Sequence, residues 1–287
     1  MNTSLIILNY NDPERTADLA LASEKLESLK HIVIVDNCSS DDSFEKLSSI
    51  RSEKIHLIKS PSNGGYAKGN NFGCIYALKN FKSDILFIAN PDTAFDNDTV
   101  CAMASVLTTH PEYGVCAPLV RQGYNVWRLS SFIGIIESLF LVWFTLDKKF
   151  IRFKLESDIS QVIPVGVVEG SFFALSADAY KKAKGFDERT FLYAEEIILA
   201  KRLKAAGFGE CVLKDFRYDH LHSASIRKEY HSSKAKAFHN FVRSFKIYNK
   251  YYLHTNKLQN KIFDLACSLG YIERVFYDFV KNNLKRR

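Results

Sequence analysis

Along the first third of the chain, short apolar runs rich in branched residues alternate with longer amphipathic stretches. Leu5-Ile6-Ile7-Leu8, His31-Ile32-Val33-Ile34-Val35, Ile55-His56-Leu57-Ile58 and Ile85-Leu86-Phe87-Ile88 are continuous rather than alternating, the pattern of strands covered on both faces. Pro13 suits a first helical turn because its φ is already fixed, and Ser40-Asp41-Asp42-Ser43 offers capping oxygens for a second helix. Strand and helix alternating at this spacing predict an α/β fold, a doubly wound and mostly parallel sheet over about the first 120 residues.

From about 121 to 165 the chain is aromatic and irregular and carries no clear period. Within it, Phe132 to Phe144 is almost wholly apolar, but Glu137 interrupts it and it is shorter than the roughly 20 residues a spanning helix needs. A buried or an interfacial helix both fit. Val165 to Leu175 reads as a pair of strands around Gly166 and Gly170, and a helix is expected from about Ala194 to Ala206, ended by Gly207. Cys211-Val212-Leu213 is strand-like, and after Tyr230 the pattern is helical and basic to Arg287.

Composition changes this picture little. With 287 residues, 47% hydrophobic and 25% charged, the chain has an ordinary globular make-up. Charge does change it: residues 214 to 287 hold 16 Lys or Arg against 6 Asp or Glu, a tail of +10, and the overall +7 leaves the remainder at −3. Such a tail suits an acidic neighbour. The six cysteines, at 38, 74, 101, 116, 211 and 267, include no pair spaced for zinc or redox work and read as scattered core thiols of a reducing compartment. Met1-Asn2-Thr3-Ser4 leads into an apolar run of about five residues without a basic flank, unlike a signal peptide. The expectation is a cytoplasmic protein.

Candidate chemistry gathers where the apolar runs end. Asn90-Pro91-Asp92 directly follows the fourth run, and Asp36 ends the second. Carboxyl ends of parallel strands are where open α/β sheets bind ligands, and an Asp there can hold a divalent cation against a diphosphate. Asn-Pro-Asp equally suits a plain turn. After the third run, Ser62-Asn63-Gly64-Gly65-Tyr66-Ala67-Lys68-Gly69-Asn70-Asn71 could let the backbone and the following helix start approach an anion, or could simply be a tight turn with a cap. Glu195 and Glu196 open the helix expected from Ala194 and point about 100° apart, so one could face a cleft, or both could complement the helix dipole. In Asp219-His220-Leu221-His222 the two imidazoles could ligate metal or merely be exposed.

Together these segments resemble the family 2 glycosyltransferases with the GT-A fold, and within them the bacterial rhamnosyltransferase-like branch, over about residues 3 to 225. The pieces are Leu8-Asn9-Tyr10-Asn11, Val35-Asp36-Asn37-Cys38-Ser39, the loop from Asn63 to Asn71, Asn90-Pro91-Asp92, Gly185-Phe186-Asp187-Glu188, Tyr193-Ala194-Glu195-Glu196, and His220 with Ser225 five residues on. The resemblance implies a glycosyltransferase domain over 1–225, with a nucleotide-binding half (1–120) and an acceptor and catalytic half (121–225), followed by a basic amphipathic helical extension (226–287). Tyr10 and Asp36 would meet the nucleobase, the Asp accepting its ring N3 proton. Asn9, Asn63, Gly64, Lys68, Asn70 and Asn90 would border the nucleotide. Asp92 matches the second acid of the family's metal motif, the first being replaced by Asn90, and His220 matches a histidine that closes the metal and diphosphate site. Glu196 falls where many members carry an Asp general base, which leaves the assignment between Glu195 and Glu196 open. Gly170, Ser171 and Tyr193 would line the acceptor and sugar pocket.

The expected activity is therefore an inverting transfer from a UDP- or dTDP-linked sugar, dependent on Mn or Mg, to a glycan or polyprenyl-linked acceptor in surface polysaccharide synthesis such as capsule or O-antigen. Direct displacement at the sugar carbon needs a neutralised diphosphate and an acceptor hydroxyl deprotonated from the opposite face. Asn90, Glu196 and Ile198 depart from the family's fully acidic pattern, so the alternative is a catalytically lapsed nucleotide-sugar-binding or scaffold protein. No nucleic-acid recognition motif accompanies the basic tail. Phe238, Phe241, Val242, Phe245, Tyr248 and Tyr252 recur at helical spacing beside Lys234, Arg243, Lys246, Lys250 and Lys285-Arg286-Arg287, which suggests peripheral contact with the inner face of the cell membrane. The competing reading is an aromatic stripe packed on the catalytic domain.

Overall fold

A computed structural model describes residues 1–121, 125–221 and 234–284. The four apolar runs form β1 (Thr3–Asn9), β2 (His31–Asp36), β3 (Ile55–Lys59) and β4 (Ile85–Ala89), all parallel in the order β3-β2-β1-β4. Leu5, Ile6, Ile7, Val33, Ile34 and Phe87 are wholly buried. Successive side chains divide between two cores, as the strand period of two requires. Leu5, Ile7 and Phe87 meet Leu19 of α1 (Pro13–Glu24) and Met103 of α4 (Asn97–Thr109) on one face. Ile6, Val33 and Leu86 meet Ala67 and Cys74 of α3 (Gly65–Phe81) on the other. The remaining crossover carries α2 (Ser43–Ser48).

Beyond β4 the sheet becomes mixed. β10 (Phe172–Ser176) runs antiparallel between β4 and β6 (Tyr113–Val120), and β11 (Gly209–His220) lies parallel to β6. β5 (Thr93–Ala94) and β8 (Val162–Val165) pair antiparallel with β11. The stretch from 121 to 165, without a readable period, holds β7 (Val126–Trp127), α5 (Phe132–Ser138) and α6 (Leu141–Ser157); β7 pairs with β9 (Val167–Val168) in a separate ribbon. The apolar run from Phe132 is thus broken into two helices, with Ile135 and Leu139 buried while Ile133, Trp143 and Leu146 are exposed. α7 (Ala177–Lys182) and α8 (Glu195–Ala205) complete the face over β10 and β11. Four cysteines are buried as expected, whereas Cys101 is exposed.

The basic tail forms α9 (Lys234–Tyr252) and α10 (Lys257–Leu284). Here one expectation is corrected. The aromatic stripe of Phe238, Phe241, Val242, Phe245, Tyr248 and Tyr252 does not face outward: it packs with Ile135, Leu139, Ile197, Ile198 and Phe263 in a third core. Tyr248 is wholly buried, and its hydroxyl donates to the Ser130 carbonyl at 3.1 Å. A stripe of rings offers apolar area that α5 and α8 can cover without loss of solvation. Lys285, Arg286 and Arg287, invoked beside that stripe, lie outside the described residues, as do His222 and Ser225.

Candidate active site

At the carboxyl end of β4 the chain turns through Asn90-Pro91-Asp92 and at once pairs β5 with the end of β11, Thr93 opposite His220. The Asn90 amide donates to the Ser171 carbonyl (2.8 Å), the Asn90 carbonyl accepts from the Thr93 amide and hydroxyl, and the Leu221 amide donates to the Asp92 carbonyl (2.9 Å). These bonds bring three distant segments, around 92, 170 and 220, to one sheet edge. His220 Nε2 stands 3.4 Å from Asp92 Oδ1, and its Nδ1 stands 3.2 Å from Glu169 Oε1. Burial disfavours charge on the imidazole, yet the two flanking carboxylates outweigh it and raise its pKa to about 9. Asp12, just before α1, also feels this edge: burial lifts its carboxyl, Arg15 opposes, and the charge of Asp92 adds to the rise.

The two glutamates of α8 separate as their 100° offset requires. Glu195 is 3% exposed, its Oε1 meets no hydrogen-bond donor among the described residues, and burial followed by the neighbouring Glu196 pushes its pKa well above the carboxylate range. Glu196 is only half-buried and accepts from the Gly170 amide at 3.3 Å. Burial also raises its pKa, with Glu169 adding to the effect. A Cβ at position 170 would lie 2.9 Å from Tyr66 Oη and 3.0 Å from Glu196 Oε1, so glycine keeps that carboxylate against the backbone. Tyr66 Oη donates to the Gly170 carbonyl at 2.5 Å. Directly before α8, Tyr193 and Ala194 hold φ of +73° and +64°, a strained pair of the kind that fixes functional geometry.

The strand ends on the other side are closely knit. Asp36 is wholly buried; its Oδ1 accepts from Asn9 Nδ2 (2.9 Å) and its Oδ2 from the Ser39 amide (3.2 Å). Tyr10 is half-buried beside them. Asn63 Oδ1 accepts from Asn37 Nδ2 and from the Gly65 amide, both at 3.1 Å. In the glycine loop the close approach is made to the chain itself. Gly65 has φ +80°, a Cβ there would overlap the Phe191 carbonyl, and the Tyr66 amide donates to that same carbonyl at 3.1 Å. A Cβ on Gly64 would run into the Lys68 side chain, whose Nζ reaches Ser62 Oγ at 3.4 Å. Asn70 is 1% exposed and bonds back to the Tyr66 carbonyl of its own helix. Ser171, expected in an open pocket, is 1% exposed and hydrogen-bonded to Tyr218 Oη at 2.6 Å. Tyr193 turns its ring edge to Phe241, with centroids 6.0 Å apart.

Thus Asp92, His220, Glu196 and Gly170 come together, while Glu195, Ser171 and Asn70 lie inward of them. Sequence reading missed Glu169 and Tyr66. Glu169 precedes the Gly170-Ser171 pair and Tyr66 sits within the glycine loop, so both lay beside marked residues.

Asp92 and His220 put a carboxylate and an imidazole at one spot, and once a divalent cation of the Mn or Mg type displaces the Nε2 proton both are donors it accepts when phosphate oxygens fill most of its shell. Among the described residues no group of three or more His, Cys, Asp and Glu could hold a metal unaided. The pair therefore fits a cation only jointly with bound phosphate.

The sequence profile described as glycosyl transferase family 2 matches residues 4–183. The low-salt glycan biosynthesis hexosyltransferase Agl10 of Haloferax volcanii is 25% identical over 216 residues, 74% of this chain and 65% of that protein. The N-acetylglucosaminyl-diphospho-decaprenol L-rhamnosyltransferase of Mycobacterium tuberculosis is 25% identical over 205 residues, 67% of this chain and 66% of its own length. The match thus spans just under two thirds of either relative. Among solved structures, a mannosyltransferase from Pyrobaculum calidifontis in complex with GDP-Man and Mn2+ superposes with a TM-score of 0.59 at 14% identity, covering 95% of this chain and 73% of that one. At that identity the likeness speaks for the fold, which is GT-A.

Proposed function

Because the chain belongs to glycosyl transferase family 2, we propose that it transfers a hexose, such as rhamnose, from a UDP- or dTDP-linked donor to a glycan or lipid-linked saccharide, with inversion at the transferred carbon. The observation that carries this reading is the meeting, at one sheet edge, of the Asp92–His220 pair with Glu196 across Gly170. The acceptor class is supported by the mycobacterial relative, whose name specifies a decaprenol-linked saccharide. The reaction would take place at the cytoplasmic face of a membrane.

Glu196 takes the acceptor proton as the acceptor oxygen bonds to the sugar carbon; the bond from that carbon to the diphosphate breaks, and the nucleoside diphosphate leaves with the electron pair. Burial suits Glu196 to this, since a carboxylate with raised pKa is the stronger base. Burial and the neighbouring Glu196 raise Glu195 as well, which favours its neutral form and so less charge beside the base. Asp92 and His220 would hold a divalent cation, which when bound neutralises charge on the diphosphate. Glu169 fixes the His220 ring through Nδ1, leaving Nε2 toward Asp92. Asn9 and Asp36 hold the ends of β1 and β2 in register for the base, with Tyr10 beside it, and Asn63, Gly64, Lys68, Asn70 and Asn90 frame the nucleotide. Gly170 and Tyr193 bound the sugar and acceptor side.

A thermal-shift panel of UDP-, dTDP- and GDP-sugars with and without Mn tests the donor reading, because a bound donor raises apparent stability by mass action. The Mn-dependent shift with a UDP- or dTDP-sugar should vanish in Asp92→Ala while the unliganded melting temperature stays close to wild type. A shift that survives this substitution with its Mn dependence intact contradicts the assignment of Asp92.

A further inference from the structure

α10 carries two apolar faces, and among the described residues only one is packed. Phe263, Ala266 and Cys267 are buried in the third core, and Arg274 turns inward to the carbonyls of Leu139 and Gly270. On the opposite side Leu258, Ile262, Leu265, Leu269, Ile272 and Phe276, with Phe279 a turn beyond, are 44% to 68% exposed. At about 100° per residue these positions fall within a stripe roughly 100° wide, which is what an amphipathic face requires. So long an uncovered apolar seam on a folded domain marks a surface that meets something else.

Charge identifies what it meets. Lys257 and Lys261 are exposed on the flank where the seam begins. Two of the three acids on α10 are engaged elsewhere: Asp264 is held by Lys246 at 2.8 Å and Glu273 accepts from the Leu141 amide at 2.9 Å, while Asp278 falls about 160° around the helix from the seam's centre. Residues 214 to 287 carry 16 basic against 6 acidic side chains. A second copy of the same seam would bring like charge against like charge, whereas an anionic bilayer offers both an apolar interior and opposite charge. Among the described residues no helix is long and apolar enough to cross a membrane, which leaves contact from one side. Trp143, 55% exposed, lies two residues beyond the Leu141 amide that Glu273 holds, and it adds an indole of the kind that settles at headgroup level.

We propose that the outward seam of α10 lies in the surface of an anionic membrane. The inner side of the tail is tied to the site: Ser244 of α9 donates to the Leu192 carbonyl at 2.8 Å, and Tyr252 donates to Asp187 at 2.6 Å, so α9 grips the segment that leads into Glu195 and Glu196. A docked α10 thereby holds the catalytic edge at the bilayer, where a lipid-linked acceptor is found. This purpose rests on the proposed sugar transfer; the docking itself does not.

The test is flotation of the full chain with phosphatidylglycerol-rich and with pure phosphatidylcholine vesicles, alongside a variant carrying Leu265→Asp, Ile272→Asp and Phe276→Asp. Each of these three side chains is more than 60% exposed, so the variant should keep its melting temperature. The wild type should float with the anionic vesicles and not with the neutral ones, and the variant's recovery should fall by at least about tenfold, given the apolar area withdrawn. Equal recovery on both vesicles, or undiminished recovery of the variant, overturns the proposal. So does a wild-type dimer in light scattering that the variant converts to monomer while neither floats, since the seam would then join two copies. Hydrolysis of the donor in solution, measured in parallel, separates the two readings: a protein that hydrolyses donor but does not float removes the membrane surface alone, and one that floats without turning over any donor removes sugar transfer alone.

Discussion

Within the cluster at the sheet edge, His220 is the residue whose chemistry depends most on a neighbour. Its Nε2 faces Asp92 and its Nδ1 faces Glu169, and a ring held at one nitrogen presents the other in a fixed direction. Outer partners of this kind commonly matter 10- to 100-fold to metal affinity. Glu169→Gln should accordingly weaken Mn affinity by roughly 10- to 100-fold, measured by calorimetry with UDP or dTDP present, while the fold is kept because the amide fills the same volume. Unchanged Mn affinity in that variant would mean that Glu169 does not orient the ring. Its role was not legible beforehand, because an acidic residue ahead of Gly170 looks like a turn and its partner arrives from the far end of β11. Asp92 drew notice because it follows an apolar run and Glu196 because it opens a helix, and the structure puts both at one sheet edge. Ser171, expected at the acceptor and sugar pocket, turns its hydroxyl inward to Tyr218, and no spacing rule foretells that.

At the scale of elements, the segment from 187 to 194 matters because it links α9 to the first turn of α8. Asp187 is its anchor. Burial would lift this carboxyl, but bonds from Arg189 and Tyr252 outweigh burial and hold its pKa at about 2 against an ordinary 3.8. A depressed carboxylate stabilises the fold fully above the unfolded value and loses that contribution as pH falls through 3.8 toward about 2. Thermal melts from pH 7 down to pH 2 should therefore show an acid limb that is flatter in Asp187→Asn, with the variant less stable at neutral pH. Parallel acid limbs would show that this anchor carries no such load. Elements of this size were legible in proportion to their period. β1 to β4 are covered on both faces and leave unbroken apolar runs, whereas β5, β7 and β9, with two residues each, leave none. The aromatic stripe of α9 showed plainly that one face is covered, but periodicity is blind to whether protein or lipid covers it. The seam of α10 went unremarked because its other face is equally apolar.

For the whole molecule, the parallel half β3-β2-β1-β4 supplies the strand ends, and the antiparallel insertion of β10 beside β4 delivers Gly170 and Glu196 to the same edge. The first half was readable because each strand follows the last through a crossover of ordinary length. The second half was not, since β6, β8, β10 and β11 pair out of chain order and the 121–165 stretch has no period. What the assembled edge is proposed to do turns on a single proton. Steady-state kinetics and donor calorimetry on Glu196→Gln, which preserves shape and removes the acceptor of that proton, address it most directly. The expected result is donor affinity within a few-fold of wild type and a kcat lower by roughly 10²- to 10⁴-fold. Full turnover in Glu196→Gln, or its loss only in Glu195→Gln, would contradict the assignment of Glu196 as the base.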